Sequence, residues 1–260
     1  AAILFSDILT IPDSFGLGVE FIEKEGPVFR NPISNSTDIK NLNHFDPESL
    51  DYVYKAVNNI KSSLPEEIPL IGFCGSPWTL AAYSIEGRSS KDFHKTLSFL
   101  ESNQKDVHDL LIKYTDACFL YLRKQVQSGA DVIQIFDSWA NLLKKEDLIE
   151  FSFNYINSLI SALKLDPVTK NIPVIIFARN PKCDIEELIN TSADCISLFW
   201  SMNDLNFEIA KNKVAIQGNL DPKILLESNE TIKRETYKIL ERFKEYPGYI
   251  FNLGHGITPD

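Results

Sequence analysis

Short apolar, β-branched runs return along the whole chain, and most are followed by a stretch with helical periodicity. This alternation constrains the fold more than any other feature of the sequence. The runs are AAILFSDI (1–8), IPLIGFCG (68–75), ADVIQIFDS (130–138), IPVIIFA (172–178), DCISLFW (194–200), KVAIQGNL (213–220) and YIFNLGHG (249–256). Strands that are apolar on both faces and separated by helices predict a parallel sheet with right-handed crossovers. Between them, Asp46 caps and Pro47 starts a helix over 46–64 whose inward face is Leu50, Val53, Tyr54, Val57 and Ile60. Further helices are expected near 91–103, 105–127, 148–163, 184–192 and 228–246. In the second of these, Val107, Leu110, Leu111, Tyr114, Cys118, Tyr121 and Leu122 form the apolar stripe. The segment GLGVEFIEKEGPVFRNPI reads as a hairpin outside the main sheet. No GxGxxG follows the first strand and no P-loop occurs, so an α/β chain of this kind is expected to form a (β/α)8 TIM-type barrel rather than a doubly wound sheet. With seven convincing strands, that barrel is expected to be distorted or incomplete. Without linkers or repeats, residues 1–260 are expected to form one domain.

The 260 residues carry 36 acidic and 26 basic side chains, a formal charge of −10, which argues against nucleic acid as a partner. An anionic small substrate stays possible only with local cations to hold it. Arg30, Arg88, Lys91, Arg179 and Lys182 are the candidates, though a solvated surface charge is the favoured reading of each. No apolar run is long enough to span a membrane. The four cysteines are scattered, two of them in apolar runs, so reduced buried thiols and a cytoplasmic location are expected. The chain begins inside an apolar run without a Met, which leaves open a plastid-type targeting segment upstream.

In α/β barrels the C-terminal ends of the strands carry the chemistry. Here those ends supply Asp7, Ser76, Ser138, Arg179, Asn219 and His255. A lone acid at a strand end is as often a turn former, and both readings stand for Asp7. For Asp137 and Asp221, capping of the next helix is the favoured role. His255, bracketed by glycines in NLGHGI, reads as functional, whereas His44, His94 and His108 do not. There is no HExxH, no His-x-Cys metal spacing, and no Ser or Cys nucleophile with an evident base. An acid without a metal or cofactor partner suits stabilisation of a cation or acceptance of N–H hydrogen bonds.

Five segments, AAILFSDILTIPDSFGLGVEFIEKEGPVF, GFCGSPWTLAAYSIEG, GADVIQIFDSWANLL, VAIQGNLDP and FNLGHGITPD, resemble uroporphyrinogen decarboxylase, and the likeness spans the chain. The resemblance implies a distorted (β/α)8 barrel, usually a homodimer. It also implies removal of the acetate carboxyl groups of uroporphyrinogen as CO2 to give coproporphyrinogen, with no metal or organic cofactor. It implies that Asp7 accepts hydrogen bonds from pyrrole N–H groups and that Tyr83 lies beside the reacting ring. Ser138 and His255 would contact substrate carboxylates, while Phe5 and Ser6 would line the same wall. The family's Arg-rich stretch and its terminal helix are expected beyond the two ends of this chain, making it truncated at both. Phe199 stands where the family usually has Asp, and ARNPKC replaces a Gly-rich stretch. Two alternatives remain: a zinc- and corrinoid-linked methyltransferase of the same fold, whose metal ligands are not in place here, and a non-catalytic porphyrinogen-binding protein.

Overall fold

The computed structural model describes residues 1–4, 6–23, 26–202 and 206–257. Seven strands form one parallel sheet in the order β1-β4-β5-β6-β7-β8-β9, and β2 and β3 pair as a separate antiparallel hairpin. In chain order, β1 is Ala2–Ile3, β2 is Val19–Ile22, β3 is Gly26–Phe29, β4 is Leu70–Gly75 and β5 is Val132–Asp137. Then follow β6 (Val174–Ala178), β7 (Cys195–Ser197), β8 (Ala215–Gln217) and β9 (Tyr249–Ile250). The helices are α1 (Thr10–Pro12), α2 (Ser36–Lys40), α3 (Asp51–Ser63), α4 (Pro77–Glu86), α5 (His94–Ser102) and α6 (Gln104–Gln127). They continue with α7 (Lys145–Leu148), α8 (Asn154–Leu165), α9 (Ile185–Ile189) and α10 (Asn229–Arg242). The sheet curls, as in a TIM-type barrel, with β1 and β9 at its two edges.

The expected runs all fall on strands, but several are shorter than the apolar pattern suggests. The reason is clearest at β1, which pairs with β4 only at Ala2↔Leu70 and Ile3↔Ile71 before leaving the sheet. The Leu4 N–H still reaches the Ile71 carbonyl, at 3.4 Å. In a parallel ladder alternate residues face the same neighbour, so Phe73 is the next residue of β4 to turn its backbone toward β1. The side chain of Gln125 on α6 takes the missing strand's place. Its Oε1 accepts from the Phe73 N–H at 3.0 Å, and its Nε2 donates to the Phe73 carbonyl at 2.9 Å. Gly72 makes room for this amide, since a Cβ there would lie 2.7 Å from Gln125 Oε1. The chain is thus released from the sheet at Leu4 without stranding buried backbone groups.

The stripe read along 105–127 is the buried face of α6, from Val107 through Leu122. The helix expected over 148–163 is split: a π turn at Ile149–Phe153 precedes α8 and buries Ser152. The helical turns at Thr10–Leu17 and the boxed α2, capped by Asn35, have no counterpart in the periodicity argument. All four cysteines are free thiols, three of them buried. Among the described residues, no helix is long and apolar enough to cross a membrane.

Replacing Gln125 by Leu removes both partners of the Phe73 backbone in a site that is 1% exposed. Orphaned buried polar groups cost about 1–3 kcal/mol each, so Gln125→Leu should lower stability by roughly 2–4 kcal/mol in urea unfolding. An unchanged midpoint would show that water or a backbone shift replaces the amide.

Candidate active site

Side-chain alternation along the strands sends Phe73, Phe136 and Phe177 to the concave side of the sheet. Two neighbouring cavities open there. One, of about 550 Å³, is walled by Ile3, Ile8, Phe21, Pro27, Phe73 and Phe136 and receives Ser6, Asp7 and Ser138. The other, of about 510 Å³, runs down the sheet past Gln134, Ser197 and Gln217 and carries His255 at its rim. Ile3 and Phe136 line both.

Asp7 does two things at once. Its Oδ1 accepts the Leu9 N–H at 2.8 Å, the turn-forming role, while Oδ2 has no hydrogen-bond partner among the described residues. The half-buried Asp7 also borders a third cavity of about 390 Å³, with Asp13 and Tyr52. Phe5 lies outside the described residues.

Tyr83 is not among the residues lining these cavities. Its half-buried ring stands edge-on to Trp139 at 5.6 Å and to Phe93 at 5.9 Å. Burial pushes its phenol up, Asp7 pushes the same way, and Trp139, Arg179 and Ser89 pull it down. The ring stands within electrostatic reach of both Asp7 and Arg179. Phe93 takes a backbone φ of +47° to pack its ring 4.2 Å from Trp139, a conformation uncommon for a bulky residue and often found near functional sites.

Asp137 does not cap the helical turn after it, contrary to expectation, because that turn begins at Trp139 with no side-chain cap. It is buried beneath the floor and collects three hydroxyls. Ser76 Oγ and Thr79 Oγ1 donate to Oδ1 at 2.9 Å each, and Ser152 Oγ to Oδ2 at 2.5 Å. Thr79 Oγ1 in turn accepts the Trp139 N–H at 3.3 Å. This network pins the end of β5 and so aims Ser138 into the cavity. Sequence reasoning missed it because the donors come from two segments distant from Asp137 in sequence. Asp221 does cap, accepting the Lys223 N–H at 3.0 Å.

At the other end, NLGHG is held by the Gly254 N–H to Leu220 O at 2.8 Å and by the Trp200 N–H to Gly254 O at 3.2 Å. A Cβ on Gly254 would come within 2.3 Å of the Trp200 nitrogen, so only glycine fits here. His255 is exposed, its ring edge-on to Phe199 at 5.9 Å and near Phe177 at 6.2 Å. Phe199 therefore gives the imidazole an apolar wall where an acid would have given it a charge partner. In the ARNPKC loop, Asn180 adopts φ +42°, a conformation Asn tolerates better than most side chains in place of Gly. Among the described residues, no three His, Cys, Asp or Glu side chains are grouped to hold a metal ion.

Burial, the largest influence, pushes the Asp137 carboxyl above the ordinary carboxylate range, against the pull of Ser152, Ser76 and Thr79 toward ionisation. With a raised folded-state pKa, the native state holds this proton more tightly than the unfolded chain does. The associated stability is complete below the unfolded pKa and is lost as pH rises through the folded value. Asp137→Asn keeps an acceptor for Ser76 and Thr79 but cannot ionise. Melting curves across pH should show the wild type losing stability relative to Asp137→Asn as pH climbs past the ordinary carboxylate range; parallel profiles would contradict the assignment.

The profile of the family described as uroporphyrinogen decarboxylase (URO-D) matches residues 1–260. The uroporphyrinogen decarboxylase of Vesicomyosocius okutanii subsp. Calyptogena okutanii is 46% identical over 262 residues, covering all of this chain and 75% of that protein. The same-named proteins of Pseudoalteromonas atlantica and Alcanivorax borkumensis are 45% and 44% identical over 262 residues, each covering all of this chain and 74% of theirs. Among solved structures, a B12-independent methionine synthase from Shewanella sp. W3-18-1, in complex with selenomethionine, superposes with a TM-score of 0.55. It is 14% identical and covers 80% of this chain and 60% of its own, a likeness of fold alone. With a full-length family match and relatives at this identity, the chain belongs to the uroporphyrinogen decarboxylase family.

Proposed function

We propose that this chain decarboxylates uroporphyrinogen to coproporphyrinogen, with Asp7 as the central charge. The observation that carries the reading is the cavity in which Asp7, Ser6 and Ser138 share one apolar-walled space. In this reading the electron-rich pyrrole serves as its own electron sink. A proton added to the α ring carbon next to the one bearing the acetate arm leaves a cation shared between that acetate-bearing carbon and the ring nitrogen. The C–C bond to the carboxylate then breaks, CO2 departs, and its electron pair forms an exocyclic methylene that neutralises the ring. Protonation of that methylene and loss of the ring-carbon proton give a methyl group, with one proton consumed overall.

The unpartnered Oδ2 of Asp7 suits the acceptance of pyrrole N–H bonds, which strengthen as the ring becomes cationic. Phe73, Phe136 and Phe21 supply a low-dielectric surround in which a fixed charge acts strongly. Ser138 lines one cavity and His255 the other, which supports the reading that they meet carboxylate arms of a ligand spanning both. Tyr83, within electrostatic reach of Asp7, stands beside the reacting ring in this reading and helps position that acid or the substrate. A distorted (β/α)8 barrel as the form of this curled sheet, a single domain, pairing into a homodimer and residence in the cytoplasm belong to the same proposal.

Asp7→Asn separates the two roles of this residue, because the amide keeps an oxygen for the Leu9 N–H while losing the charge. Under anaerobic conditions the whole wild-type protein should form coproporphyrinogen without added cofactor. The variant should keep its circular dichroism and lose at least tenfold in turnover, approaching the ~3 kcal/mol typical of a preorganised electrostatic group. Equal rates would leave Asp7 a turn former only.

A further inference from the structure

A substrate with eight carboxylates needs cations from a chain of charge −10, and the decarboxylase reading names none. We propose that Arg179 binds a carboxylate arm of the macrocycle, from the end of β6 beside Ser138. The inference rests on the decarboxylase reading and adds a specificity residue to it.

Register places Arg179. Phe136 pairs with Phe177 and Asp137 with Ala178, so the next pair along the ladder is Ser138 and Arg179. The Arg179 N–H donates to the Asp137 carbonyl at 3.0 Å, tying this end of the ladder to the buried hydroxyl network. Alternation then puts the Arg179 side chain on the same side of the ladder as Phe177, which lines the second cavity. Among the described residues, no other strand of the parallel sheet is followed directly by a Lys or Arg.

The guanidinium is also preorganised. Its central carbon lies 5.5 Å from the Trp139 ring centroid, a cation–π shelf, and Trp139 is itself fixed by Phe93 and Tyr83. Half-buried, Arg179 takes part in no ion pair among the described residues, although the chain has ten more acids than bases. A stacked guanidinium keeps its N–H edge available for a bidentate bond to a carboxylate. Tyr83, which feels both Asp7 and Arg179, ties the charge under the ring to the charge that would hold its arm. Arg30, by contrast, is engaged with Glu20 on the hairpin.

The test uses the whole protein and the variants Arg179→Gln and Arg179→Lys. It reads KM and kcat with uroporphyrinogen, the affinity for the air-stable octa-acid uroporphyrin by tryptophan quenching, and the melting temperature. Arg179→Gln should raise KM and weaken uroporphyrin binding about tenfold, with kcat within about threefold and melting little changed. Arg179→Lys, which keeps the charge but loses the fork and the stack, should fall between. A lowered melting temperature with KM and affinity unchanged would make Arg179 a structural prop for Trp139 and overturn the inference. Loss of kcat at unchanged KM and affinity would overturn it too. A wild type that neither turns over uroporphyrinogen nor binds uroporphyrin would overturn the decarboxylase reading and Arg179's role with it.

Discussion

The site depends on one exchange of hydrogen bonds at the edge of the sheet. Where β1 parts from β4, the Gln125 amide takes over the Phe73 backbone, and the chain is free to carry Ser6 and Asp7 outward over the cavity. Had β1 run on in register, the carboxylate would have stayed in the alternation of a strand. A buried glutamine between a helix and a strand is costly unless both ends of its amide are satisfied. Here both are, and Gly72 is the small residue that lets them meet.

The opposite wall is organised by a second buried polar group. Asp137 draws hydroxyls from the starts of two helical segments, at Ser76 and Thr79 and at the π turn through Ser152, onto the end of β5. It orients rather than reacts, since no cavity above reaches it. The result is a sheet rim whose side chains come from β5, β6 and the loop after β9 but whose positions are set below the rim. Rigid support of this kind is what a preorganised electrostatic site requires.

Much of this was legible in the sequence, and the misses have definable causes. Order, direction and helix faces followed from periodicity, because apolar runs must be buried whatever surrounds them. Asp7, Ser138 and His255 could be picked out because each interrupts or ends an apolar run. Strand lengths were not legible: the stop at Ile3 is set by Gln125, more than a hundred residues away. Asp137 looked like a helix cap because its partners come from two segments distant in sequence, and nothing local to Tyr83 reveals Phe93 and Trp139 beside it. Phe199 was visible as an anomaly, and its packing against His255 is visible only in three dimensions.

The central claim is that the Asp7 carboxylate sits under the macrocycle and steadies its positive charge. The most direct test is a crystal structure of the whole protein with coproporphyrinogen bound under anaerobic conditions. The account predicts Asp7 Oδ2 about 2.7–3.2 Å from pyrrole nitrogens, with the ring resting on Phe73 and Phe136. A macrocycle bound elsewhere, or one whose nitrogens face away from a water-exposed Asp7, would contradict it.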